Sequence, residues 1–116
     1  MNIDQSLFDK EEFRKWLEEK PDNSTVGHAK NGCHCPLAMW VRSKGLQPNI
    51  HADAAEIGDG SVPMFPAREY LVPLPWWAQN FIYSIDTAAE ERAKEGTLNY
   101  SEVSREEALN ALGGKS

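Results

Sequence analysis

Five residues between positions 28 and 51 have the types that metal or thiol chemistry needs: His28, Cys33, His34, Cys35 and His51. Thiolates and imidazoles are the preferred ligands of zinc, and two of each complete a tetrahedron. The candidate metal set is His28, Cys33, Cys35 and His51, with His34 able to replace His51. The spacing weakens this set. Paired zinc cysteines are usually separated by two to four residues, and a single intervening residue strains chelation by both sulfurs. The same separation strains a disulfide ring, so a dithiol switch is disfavoured as well. A nucleophilic pair, with either cysteine attacking and His28 or His51 as base, lacks a third group to orient the base. His51, Asp53 and Glu56 form a further candidate cluster, read against a plain solvated strand face. The alternative throughout is two free thiols, with Cys35 buried as a small apolar residue. No catalytic residue is assigned, and no cofactor is expected, with zinc as the rival.

These residues need elements to hold them. Pro36 suits the first position of a helix, which makes Cys35 the cap. Leu37, Trp40 and Val41 give that helix one apolar stripe, Arg42 and Lys44 complement its C-terminal end, and Gly45 stops it. The helix is therefore expected over Cys35–Lys44. Asn31-Gly32 is a turn, so Cys33–Cys35 feeds a helix N-terminus, where partial positive charge favours a thiolate. An earlier helix starts at Asp9, with Glu12 completing a capping-box pattern and Phe8 placed to staple onto Phe13. Phe13, Trp16 and Leu17 form its buried face, and Pro21 ends it. Thr25–Gly27 is a possible short strand.

Beyond Gly45 the pattern turns to β. Asn49–Ile57 alternates, with Ile50, Ala52 and Ala54 on one side and His51, Asp53 and Ala55 on the other. Gly58-Asp59-Gly60 is a turn, and Glu69–Val72 supplies the returning strand, since Pro63 and Pro66 break regular pairing between them. Pro75 opens the longest helix, whose apolar residues Trp77, Phe81, Ile85 and Ala88 or Ala89 recur four apart. A last short helix is capped by Ser104 with Glu107 three residues on, and it buries Ala108, Ala111 and Leu112. The expected fold is α+β: a single domain over residues 1–112, with three to four helices on a small antiparallel hairpin or sheet. Residues 113–116 are expected to form a disordered tail.

Three short motifs run through these elements: Phe-Arg-x-Trp-Leu at Phe13–Leu17, Cys-Pro-Leu-Ala at Cys35–Ala38 followed by Trp40 and Val41, and Pro-Leu-Pro-x-Trp-Ala at Pro73–Ala78. With the terminal Glu-Ala-Leu at Glu107–Leu109, they resemble a family of small bacterial and phage proteins with no assigned activity. The resemblance implies a shared fold and carries no functional residue across. It also implies a role as an accessory protein, an inhibitor or modulator of a host protein complex.

Composition and charge bound the remaining choices. The 116 residues are 41% hydrophobic and 26% charged, ordinary for one globular domain. No apolar run reaches the roughly 18 residues of a membrane span, and no signal-peptide core opens the chain. Two cysteines one residue apart make no disulfide framework, so a reduced, cytoplasmic setting is expected. The net charge is −6, and fourteen of the eighteen carboxylates lie in residues 1–22 and 86–116. Acidic ends argue against direct nucleic-acid binding, which requires a basic patch, and suit a protein partner with a basic surface. Trp76 and Trp77 are adjacent, so at least one leaves the buried stripe. Trp76 with Met64 and Phe65 would make an apolar patch, the alternative being that the proline-rich segment folds over both indoles, and Glu90 and Glu91 are further candidate partner-binding residues. The expected function is a small acidic, non-enzymatic protein-binding module. Its rival is a structural zinc or cysteine-based enzyme centred on Cys33–Cys35.

Overall fold

Phe13 is the point on which the aromatic residues converge. In a computed structural model that describes residues 4–58 and 69–113, its ring lies 5.2 Å from Trp40 and 5.2 Å from Phe81, centroid to centroid. Trp77 stacks on it at 5.8 Å and Trp16 at 6.0 Å. These side chains come from three helices, so a single contact set ties the helical layer together. Burial of such rings supplies the largest apolar area per residue.

The elements follow in order. A 3-10 turn (Gln5–Leu7) leads to α1 (Lys10–Glu18), whose first turn is capped by the Asp9 carboxylate accepting from Glu12 N–H at 3.0 Å. Phe8 lies edge-on to Trp40 at 6.2 Å, so the expected staple to Phe13 runs through the Trp40 indole that both rings touch. Next come β1 (Thr25–His28), α2 (Pro36–Arg42), β2 (Gln47–Ile50) and β3 (Ala54–Gly58). After these, β4 (Glu69–Pro73) precedes α3 (Trp76–Lys94), and β5 (Glu102–Ser104) runs directly into α4 (Arg105–Ala111). The fold is α+β, with four α-helices and two small antiparallel sheets among the described residues.

The stop signals act close to where the sequence puts them. α2 ends at Arg42, two residues earlier than expected, because Lys44 N–H and Gly45 N–H donate to Val41 O and Arg42 O, three residues back instead of four. Gly45 then adopts φ +83°, which glycine reaches without steric cost. Pro75 is the cap of α3, one position outside the first helical residue. Ser104 caps α4 by accepting from Glu107 N–H at 3.1 Å.

The segment read as one strand, Asn49–Ile57, is instead a hairpin. His51 N–H donates to Ala54 O at 2.8 Å and closes a tight connection, so β2 and β3 pair across it. Ile50 and Ala55 are register partners and both are buried, although simple alternation places them on opposite faces. A reversal inside an alternating stretch resets the phase of every residue after it. β4 pairs with β3 as expected, giving the order β2-β3-β4. The other face of that sheet carries Asn49, Glu56 and Leu71, all exposed. Thr25–His28 is a strand, and its partner is β5, which the sequence reading did not include. Val103, at the centre of β5, is fully buried. Asp59 and Gly60 of the expected turn, Pro63, Pro66 and residues 114–116 of the expected tail lie outside the described residues. No helix among the described residues is long and apolar enough to cross a membrane.

Candidate functional site

α3 buries Ala78, Phe81, Ile82, Ile85 and Ala89. Its opposite face carries Trp76, Asn80, Tyr83, Thr87 and Glu90, every one exposed. Their spacing alternates between four and three residues, so they form one stripe along the helix. Trp76 and Tyr83 are each 73% exposed. Two turns of helix separate them, with Asn80 between. Beside them runs a groove of about 560 Å³ whose lining also includes Gln79, Ile82, Asp86 and, from the β2–β3 connection, Ala52.

The two adjacent tryptophans divide their roles. Trp77 is half-buried, stacks on Phe13 and donates from its indole Nε1 to Phe8 O at 3.2 Å. Trp76 faces outward. Of the other residues expected on this patch, Glu90 lies on the stripe, and Glu91 is exposed with its carboxylate 3.6 Å from Lys94 Nζ. Met64 and Phe65 lie outside the described residues.

One side of the groove is held by Lys30. Its backbone N–H donates to Asp86 Oδ1 at 2.9 Å, and its ammonium pairs with Glu90 at 2.8 Å. That bond raises the Lys30 pKa and lowers that of Glu90. Asp86 moves the other way: burial pushes its pKa up, against the Lys30 backbone bond and charge. Lys30 itself has φ +62°, a left-handed turn that reverses the chain after β1. Gly32 lies so close to β2 that a Cβ would come within 2.6 Å of Ile50 O and of Asn49 Oδ1. Behind the groove, this loop, the β2–β3 connection and α3 enclose a smaller cleft of about 190 Å³. Ala52, Ile82 and Asp86 line both spaces.

The thiol and imidazole residues do not gather. Among the described residues no group of three His, Cys, Asp or Glu side chains is placed to hold a metal ion. His28 Nδ1 faces Ser101 Oγ at 3.3 Å, and His34 Nδ1 faces Asn31 Oδ1 at 3.3 Å. His51 belongs to the β2–β3 connection, not to a strand, and its Nε2 meets Glu56 at 2.6 Å. Both cysteines are free thiols; Cys33 is half-buried and Cys35 is buried at the base of the cleft. Leu37 and Ala38 N–H groups favour the Cys35 thiolate, as the helix N-terminus suggests, but desolvation outweighs them and pushes the pKa up to about 11. A thiol so placed is protonated at neutral pH and is a poor nucleophile.

Asn80, Tyr83, Asp86 and Thr87 were absent from the residues singled out by sequence. The signal was present in the helical period, because Tyr83 lies seven residues after Trp76, on the face opposite Phe81 and Ile85. Lys30 had no such signal, since only the fold brings it to Asp86 and Glu90. The arrangement offers exposed aromatic faces, amide and hydroxyl groups, and carboxylates, which are recognition groups. No family model, curated protein or solved structure matches the chain.

Proposed function

We propose that this protein acts by binding another protein through the outer face of α3, and that it is not an enzyme. The observation that carries the reading is the exposure of Trp76 and Tyr83 on one helical stripe beside a groove. Tryptophan and tyrosine are the residue types most enriched among binding hot spots. The net charge of −6 and the carboxylates of Asp86 and Glu90 favour a partner with a basic surface. The likeness to small bacterial and phage proteins narrows the role to an inhibitor or modulator of a host protein complex in the cytoplasm. The buried, protonated Cys35 weighs against the cysteine-based alternative.

A photo-crosslinking amino acid at position 83, used in the source cell, tests the reading directly. One protein should be captured, and the purified pair should form a complex weakened by Trp76→Ala by about 2 kcal/mol or more. An inhibitor would also lower the captured protein's own activity at equimolar ratio. Absence of any adduct, or an affinity indifferent to Trp76→Ala, would overturn the proposal.

A further inference from the structure

We infer that the small cleft behind the α3 groove receives an arginine side chain of the partner protein, whose guanidinium pairs with Asp86. This rests on the binding role proposed for the outer face of α3. Ala52, Ile82 and Asp86 line both the cleft and the groove, so a partner seated on Trp76 and Tyr83 lies directly beside the cleft. Its volume of about 190 Å³ is room for one long side chain. It is smaller than the roughly 300 Å³ at which small-molecule sites begin.

The apolar part of the lining fits that occupant's stem, and Lys30 and His51 line the cleft as well. Ile50, Ile82 and Ile85 are buried apolar residues that can pack against a methylene stem. Asp86 supplies the charge. Among the described residues, the one hydrogen bond to its carboxylate comes from the Lys30 backbone N–H. The Lys30 ammonium is held by Glu90, from where its charge still favours the Asp86 carboxylate, and among the described residues no ion pair joins Asp86 to a basic side chain. Burial has removed part of the Asp86 hydration, which its raised pKa reports, and a cation entering the cleft restores that loss. Guanidinium suits this position better than ammonium. It is the more weakly hydrated cation and presents paired donors to a carboxylate. The Asp86 carboxylate also repels an acidic side chain.

The test is a titration of the isotopically labelled protein, followed by amide chemical shifts, with N-acetylarginine amide as the probe. N-acetylcitrulline amide serves as the uncharged isostere and N-acetyllysine amide as the ammonium control. The arginine probe should give saturable shifts at Ile50, Ala52 and Ile82, with both controls on the order of tenfold weaker. Asp86→Asn keeps an oxygen for the Lys30 N–H, so the fold should hold, and it should weaken the arginine response by a similar factor. Ala52→Trp at the exposed mouth should block it. Equal response to the citrulline or lysine probe, a response that does not saturate, or full response in Asp86→Asn would overturn the inference. Trp76→Ala separates the two proposals because Trp76 lines only the outer groove. A partner that depends on Trp76 but ignores Asp86→Asn removes the cleft and leaves the α3 reading standing. Arginine-selective shifts in the absence of a Trp76-dependent partner do the reverse.

Discussion

Gly27 and Pro36 lie back to back: a Cβ built on Gly27 would be 2.6 Å from Pro36 N, with His34 O at 2.7 Å. Both neighbours are backbone atoms, which cannot rotate away as a side chain tip can. β1 therefore sits directly against the start of α2, and the loop from Ala29 to Cys35 is pinned at both ends. His28 N–H completes the closure by donating to His34 O at 2.8 Å. Gly27→Ala should destabilise the fold by about 1–3 kcal/mol through overpacking. Thermal unfolding checks this, and an unchanged midpoint would show that the approach is looser than these distances.

Cys35 should make stability fall with alkali. Its thiol is neutral when protonated and ionises near 9.0 ordinarily but near 11 in the fold. Between these values the unfolded chain holds fewer protons than the folded one, so unfolding becomes easier as pH rises. The slope attributable to this group approaches roughly 1.4 kcal/mol per pH unit and vanishes below the lower value. Cys35→Ala should flatten the stability curve over that window relative to the parent. At pH 8, iodoacetamide should modify the half-buried Cys33 and leave Cys35 intact until denaturant is added.

The two adjacent tryptophans should separate stability from binding. Trp76→Ala removes an outward side chain and should change stability by no more than about 0.5 kcal/mol. Trp77→Ala removes a ring stacked on Phe13 and the indole bond to Phe8 O, and should cost about 3 kcal/mol. Urea midpoints of the two variants give the comparison, and similar losses would contradict it.

Arg92 is the clasp of the C-terminal segment. Its guanidinium donates to Tyr100 O at 2.9 Å, Glu102 O at 3.2 Å and Glu107 Oε1 at 3.1 Å. An ammonium on a flexible stem cannot span three acceptors set out in this fork geometry. Arg92→Lys should therefore lose about 1–2 kcal/mol although the charge is kept. Hydrogen exchange at Val103 should quicken in the same variant, whereas unchanged protection would place the clasp elsewhere.

Local sequence carried the helices well because their signals are local. Asp9, Ser104, Pro36 and Gly45 act within a few residues of themselves, and the period of α3 follows from its apolar residues. The strands depended on partners the sequence does not adjoin. β5 is three residues long, and nothing in Glu102–Ser104 announces a pairing with Thr25–His28. The β2–β3 reversal passes through His51, Ala52 and Asp53, which lack the glycine or proline that marks most turns. Of the candidate face, Trp76 and Glu90 could be reached from the helical period. The link from Lys30 to Asp86 and Glu90 is purely tertiary.

The pairing of β1 with β5 has a consequence for the order of events during synthesis. When β1 leaves the ribosome, the strand that completes its sheet has not yet been translated, and neither has α4, whose Arg105 reaches back to Leu17 O and Glu18 O on α1. The aromatic centre around Phe13 can assemble once α3 has emerged. The edge of β1 and the adjoining side of α1 remain uncovered until Arg105 and Val103 arrive. A nascent chain stalled between α3 and β5 would thus expose an unpaired strand edge beside a nearly finished core, the interval in which it is most open to chaperones and to aggregation.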